Sequence, residues 1–241
     1  MDPLLSIIIP VFNEEKKIEQ TVRQFSRLTV PHEVIVSDTA STDQTVTIAR
    51  TCADKVVLLA PGKKPGVSPG RNDGVAVAAG KYFVFIDSDT FVPDPNTFFR
   101  KTLARFDNDP KLLGLSAQIK VSEAVATRSD RAVSFLMNVW FFFLNKMLRV
   151  GIASGKFIMV KADAFKKTGG FDERLTTAED VDLFGKLAKF GHTRVAWDLA
   201  VYHEGRRFHH FGAWRTMYKW IHNGISFWLF KRSSDTWEPV R

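Results

Sequence analysis

The stretch Tyr82-Phe83-Val84-Phe85-Ile86-Asp87-Ser88-Asp89 joins a buried-strand pattern to a pair of acids. Five aromatic or aliphatic residues in a row, stopped by polar turn formers, read as a short strand covered on both faces. Just before it, Asn72–Ala79 reads as a helix of small residues. Working towards the amino end, Leu4–Pro10, Glu33–Ser37 and Lys55–Leu59 repeat the strand pattern. Between them Glu14–Phe25 carries Ile18, Val22 and Phe25 at helical spacing, and Ser41 with Gln44 suggests a capping box opening a second helix. Residues 60–70 form a Gly/Pro/Lys loop. Towards the carboxyl end, Asp94–Asn108, Arg128–Arg149 and Ala178–Phe190 read as helices, and Leu113–Val121 and Phe157–Val160 as strands. Strands alternating with helices predict a three-layer α/β/α, Rossmann-like domain with a mostly parallel central sheet, its ligands outside the strands' carboxyl ends.

The 241 residues suit one large domain with a short extension. With 45% hydrophobic and 25% charged residues, a sizeable core is expected and disorder is not. Cys52 is the single cysteine, which excludes an intramolecular disulfide framework and a multi-thiolate metal site. A reducing, cytoplasmic compartment fits. Residues 1–10 do not read as a signal peptide, since the apolar run stops at Pro10. The 14 uncharged residues between Arg131 and Lys146, and the 11 between Lys219 and Lys231, fall short of a membrane span. They fit a core helix or one lying in the lipid interface.

Asp87 and Asp89 project, at i and i+2, from the sheet edge where a ligand would sit. Two acids held that close repel, and a hard divalent cation such as Mg²⁺ or Mn²⁺ relieves the repulsion while bridging to substrate phosphates. A polar loop after a strand is the bland alternative.

The acids do not stand alone. SIIIPVFNEE (Ser6–Glu15), SDTASTDQT (Ser37–Thr45), RNDGVAVAAGKYFVFIDSD (Arg71–Asp89), GGFDE (Gly169–Glu173) and Glu179-Asp180 follow one another. In this order they resemble the family 2 glycosyltransferases of the GT-A fold, over roughly residues 4–205. The resemblance implies an inverting transfer of sugar from a nucleotide-sugar, a UDP- or GDP-sugar, to an acceptor hydroxyl or phosphate, assisted by a divalent metal. Pro10, Val11, Phe12 and Glu14 match the loop that grips the donor's base and ribose, although a strand end before a helix N-terminus would look the same. Asp38 matches the acid that contacts the base; Thr39 and Ala40 depart from the acid and glycine often found next. Asp43 reads better as helix-start chemistry. Arg71 and Asn72 match a pair close to the donor diphosphate, which a guanidinium suits. Asp89 is implied as metal ligand, with Asp87 its partner and Ser88 between them at the donor. Asp180 matches the general base, needed because an acceptor hydroxyl must lose its proton as it attacks. Two acids in a helix's first turn would also suit the macrodipole. Gly151–Gly155 matches a small-residue stretch near the acceptor and donor sugar, although two glycines equally permit a tight turn. His203 is a candidate further metal ligand, against the commoner structural histidine.

The expected division is a catalytic domain over 1–205, with 1–112 its nucleotide-sugar half and 113–205 its acceptor half, and a basic, aromatic extension over 206–241. From Ala200 onward lie seven Lys/Arg against three acids, with ten aromatics, in a chain of net charge +8. Two readings stay open for this tail. It lies on an anionic membrane and meets a polyprenyl-linked or other lipid-linked acceptor, or its aromatics pack on the core and the acceptor is a soluble glycan. No nucleic-acid-binding motif is present, so nucleic acid is not an expected partner. A sugar nucleotidyltransferase would want a Gly-rich, Arg-bearing loop where Pro10–Glu14 stands, and an inactive membrane-binding module has no use for Asp87, Asp89 and Asp180.

Overall fold

A computed structural model describes residues 2–230. Strand β1 (Leu5–Val11) is buried at every position, as its run of isoleucines requires. Strands β2 (His32–Asp38), β3 (Lys55–Leu58) and β4 (Tyr82–Ile86) lie parallel to it in the order β3-β2-β1-β4. The sheet continues through β7 (Phe157–Lys161), β6 (Leu112–Val121), β8 (His192–His203) and the two-residue β5 (Thr90–Phe91). β7 runs antiparallel to β4 and β6, and β5 to β8; the other four pairings are parallel.

Helices cover both faces. Side chains of β1 and β4 alternate with period two. Ile7, Ile9, Val84 and Ile86 face α1 (Ile18–Arg23), α2 (Thr45–Ala49) and α4 (Pro95–Asn108). Ile8, Phe83 and Phe85 face α3 (Val67–Ala76), α6 (Ala162–Thr168) and α7 (Glu179–Leu187). Phe98, Phe99 and Phe157 stack edge to face or tilted in the first layer, each contributing about 1.5–3 kcal/mol by burial. The small residues of α3 serve close approach: a Cβ at Gly74 would come within 2.5 Å of Ile8 Cγ2. Pressed against β1, α3 carries Arg71 beneath the carboxyl ends of the strands.

A third cluster lies beyond the sheet. Helix α5 (Arg128–Phe143) opens with a Thr127–Asp130 capping box and runs into one π-helical turn, Leu144–Leu148. Against it pack α8 (Arg206–Phe211) and α9 (Ala213–Phe230), through Val133, Met137, Phe208, Trp220 and Ile221.

Several expected elements are corrected. Helix α3 starts at Val67, inside the expected loop, because Pro69 falls in the first turn, where no N–H is needed. The Ser41–Gln44 capping box does not form: Ser41 Oγ accepts from Asn13 N–H, and Asp43 Oδ1 receives Thr45 N–H at the start of α2. Helix α1 begins four residues later than expected, after turns at 15–17. The expected helix over 128–149 is α up to Phe143 only. Strands β5 and β8 and helix α6 were not anticipated; β8 is obscured by a bulge at 197–199 that breaks its alternation.

Candidate active site

The strand order reverses between β1 and β4, the place where an open α/β sheet leaves a crevice at its carboxyl edge. β2 delivers Asp38 there, β4 delivers Asp87, Ser88 and Asp89, and the first turn of α7 delivers Glu179 and Asp180. Helix α7 starts from Ala178, a non-glycine residue at φ +63°. That left-handed start is strained, and it aims the two acids into the crevice.

Arg71 organises the acids. It is 1% exposed, and its guanidinium donates to Glu179 Oε1 (3.0 Å), Asp87 Oδ1 (3.2 Å) and the Gly155 carbonyl (3.0 Å), over the face of Phe171. Gly155 N–H in turn donates to Asp180 Oδ2 at 2.7 Å. A Cβ on Gly155 would sit 2.7 Å from Arg71 Nη2, so only glycine lets this strand-leading loop bond both ways. Burial, reinforced by the charge of Glu179, pushes the Asp180 pKa up to about 7, against Arg71 and the N–H groups of Val181 and Gly155. Asp89 is moved the opposite way. Burial opposes its charge, but Lys156 and Arg206 hold its pKa down to about 2. Lys156 Nζ lies 2.6 Å from Asp89 Oδ1 and 3.2 Å from Asp87 Oδ2, and Arg206 Nε 3.7 Å from Asp89 Oδ2.

The other expected site residues separate into groups. Asp38 is buried; Oδ2 accepts from the N–H groups of Ala40 and Ser41, while Oδ1 has no hydrogen-bond partner among the described residues. Pro10 and Val11 are buried in β1, with Val11 O accepting from Thr39, and Phe12 emerges 38% exposed. Glu14 forms a bidentate pair with Arg206 (3.0 and 3.1 Å) beside a smaller cavity of about 300 Å³ lined by Asn13, Lys17, Asp43 and Glu204. The Asn72 amide clasps the Phe171 backbone and donates to Glu173, fastening the GGFDE segment. Ser88 is buried, its carbonyl bonded by the Thr21 hydroxyl. His203, at the end of β8, is buried with Nδ1 accepting from Gly205 N–H at 3.0 Å. That bond leaves the proton of the neutral ring on Nε2, and it must be given up before the ring can ligate a metal through Nε2. Burial and the Lys156 charge lower its pKa to about 4, so the ring is neutral at physiological pH.

One cavity of about 500 Å³ gathers Arg71, Asp87, Lys156, Glu179, Asp180 and His203 at its polar end. The rest of its wall is mostly apolar, through Ile119 of β6, Met137 and Phe141 of α5, Leu144 of the π-turn, Ile152 of the following loop, and Trp220 and Ile221 of α9, with Ser134, Asn138, Thr177 and Asn223 among them. Lys156 and Arg206 were not singled out from sequence. Their partners lie 67 and 192 residues away, and only the SGK and GRR contexts hint at them. Among the described residues no group of three or more His, Cys, Asp or Glu gathers as a metal site, and no helix is long and apolar enough to cross a membrane.

Residues 6–169 match the family described as glycosyl transferase family 2. The chain is 29% identical over 192 residues to chondroitin synthase of Escherichia coli, covering 78% of this chain and 27% of that protein. It is 26% identical over 213 residues to the glycosyltransferase AglE of Haloferax volcanii, covering 86% and 68%. Its fold is similar to the mannosyltransferase PcManGT from Pyrobaculum calidifontis, solved in complex with GDP-Man and Mn²⁺. That likeness has TM-score 0.73 and 21% identity, over 97% of this chain and 66% of that one. The chain thus spans about a quarter of the synthase and about two-thirds of the other two proteins. On the match over residues 6–169, this chain belongs to glycosyl transferase family 2.

Proposed function

We propose that this chain transfers a sugar, with inversion, from a nucleoside diphosphate sugar to a hydroxyl of a lipid-linked acceptor. The observation that carries the reading is Asp180, a carboxylate of pKa about 7 at the polar end of a cavity whose wall is otherwise mostly apolar. A general base works best when its pKa lies near the operating pH, and a hydroxyl is the nucleophile that needs one. A phosphate acceptor is already ionised and would be repelled by Glu179 and Asp180. The apolar wall supports an acceptor with a hydrocarbon portion, because burial of such surface contributes about 25 cal/mol per Å².

The donor side is supported by Asp38. Its buried, unpartnered Oδ1 is an acceptor waiting for an N–H group, which uracil and guanine both offer. Phe12 directly follows Val11, the register partner of Asp38 at the end of β1, and its partly exposed ring gives a face for the base. Asp87 and Asp89 fit a divalent ion: one carboxylate oxygen from each already converges on the single cationic atom of Lys156, and both are hard ligands. When bound, such an ion neutralises the diphosphate and makes the nucleotide a better leaving group. Arg71 then fixes Asp87 and Glu179, and Asp180, held by Gly155 N–H, takes the acceptor's proton. On this reading residues 1–112 serve the donor and 113–205 the acceptor. Within the extension over 206–241, α9 walls the acceptor cavity and α8 returns Arg206 to the donor side.

The test is transfer from a panel of UDP- and GDP-sugars to a long-chain alkyl glycoside and to its short-chain, soluble counterpart, with product configuration read by NMR. The reading expects an inverted product and preference for the long chain. Retention of configuration would remove Asp180 from the base role, and equal use of both acceptors would remove the lipid.

A further inference from the structure

Lys156 follows the Gly155 backbone that ties Arg71 to Asp180, and the reaction outlined above gives it no task. Its ammonium neutralises both members of the acidic pair at once, 2.6 Å from Asp89 Oδ1 and 3.2 Å from Asp87 Oδ2. The contact is sheltered: the side chains of Lys156 and Asp89 are 23% and 9% exposed. Arg71 and Arg206 hold the outer oxygens of the pair, Asp87 Oδ1 at 3.2 Å and Asp89 Oδ2 at 3.7 Å. The inner oxygens therefore face a single cation position, already filled from within the chain. A divalent ion seeking the same oxygens would lie within a few Å of the ammonium, and like charges at that distance repel strongly in a partly buried site.

We infer that Lys156 is a tethered counter-cation of the Asp87–Asp89 pair, and that metal entry requires its ammonium to leave. The inference rests on the proposed function only in naming Asp87 and Asp89 as the metal pair. Its consequence is that the protein alone takes up metal weakly. A nucleoside diphosphate adds the negative charge that lets metal and displaced lysine coexist, so metal and nucleotide bind cooperatively.

Mn²⁺ binding, followed by calorimetry and by the paramagnetic resonance signal of free Mn²⁺, tests this on the full chain without turnover. Lys156→Met should bind Mn²⁺ about tenfold more tightly than wild type, the size expected from losing one charge-assisted bond that competes for the same oxygens. Adding Asp89→Asn to that variant should abolish the gain. Equal Mn²⁺ affinity in wild type and Lys156→Met, or no binding in either, would overturn the inference. UDP and GDP titrated without metal, in the same experiment, judge the donor reading separately, since Lys156→Met does not touch Asp38 or Phe12. Should the variant not fold, wild type decides: excess Mn²⁺ alone should speed reductive methylation of Lys156 several-fold, read by peptide mass spectrometry. Protection unchanged by Mn²⁺ would equally overturn it.

Discussion

Two backbone N–H groups, from Gly155 and Val181, donate to the Asp180 carboxylate, yet burial and Glu179 outweigh them and Arg71 and leave its pKa about 7. The ordinary value is 3.8, so between about pH 4 and 7 the folded protein holds a proton that the unfolded chain has released. Stability contributed by that proton is lost as pH rises through the window, and above it the folded state carries the full penalty of a buried charge. Asp180→Asn removes the penalty while keeping an oxygen for Gly155 N–H. It should therefore raise the melting temperature more at pH 8 than at pH 5, although turnover falls about 10²-fold or more. An equal shift at both pH values would show that the carboxylate is not perturbed in the direction stated. In the wild type, kcat/KM should climb with pH to half its maximum near 7 and level off above about 8, because only the unprotonated carboxylate accepts a proton. A profile already flat at pH 5 would dismiss Asp180 as the base. Asp180, Asp87 and Asp89 were legible in the sequence because each ends or begins an element beside a recognisable run. Lys156 and Arg206 were not, since their role exists only once β4, β7 and α8 meet.

The π-helical turn after α5 has an identifiable cause in Asn145. Its buried amide donates to the carbonyls of Phe141 and Ile152, and its Oδ1 accepts from Ile152 N–H and the Thr193 hydroxyl. A side chain so engaged widens the helix locally and staples the turn to the 150–155 loop, whose Gly155 positions both Arg71 and Asp180. Asn145→Ala would leave several buried polar groups unsatisfied. A loss of about 2–4 kcal/mol in urea unfolding is expected, with weakened turnover from a loosened Gly155. A change below about 0.5 kcal/mol would mean that the loop holds its shape without the staple. Elements were readable where local pattern and tertiary demand agree, as in β1, β4 and the Asp94-capped, Pro-initiated α4. They were misread where one side chain answers a distant segment: Ser41 bonds Asn13 rather than its own helix, and Gln118 reaches the Trp197 carbonyl in the bulge that hides β8. Asn145 gave no sign in the sequence, because an asparagine inside an uninterrupted helical run looks exposed until the fold surrounds it.

At the scale of the molecule, the tail packs on the core through some of its aromatics and leaves others exposed, and the membrane reading stays a proposal for the exposed ones. Phe208, Trp220 and Ile221 pack against α5 and wall the cavity, while Trp214 and Tyr218 stay 52% and 68% exposed. Lys231, Arg232 and the side chain of Trp228, which the membrane reading also invoked, lie outside the described residues. Beside the cavity, whose wall Trp140 and Leu148 share, α5 and the π-turn also expose Phe135, Phe143 and Met147, near Lys146 and Arg149. Large exposed apolar patches beside cations mark surfaces that meet a partner, and a lipid interface suits both kinds of residue. The proposed membrane face therefore has two separable components. Cations contribute about 1 kcal/mol each near an anionic surface, screened by salt, whereas inserted aromatics are indifferent to salt. Co-sedimentation with anionic liposomes should thus weaken as salt rises. Arg215→Glu with Lys219→Glu should weaken it at low salt and flatten the salt dependence, with donor hydrolysis unaffected. Trp140→Ser with Phe143→Ser should lower binding by a similar factor at every salt concentration. If wild type ignores anionic liposomes even at low salt, the ridge on α5 faces another surface, and an acceptor free of membrane becomes the reading to pursue.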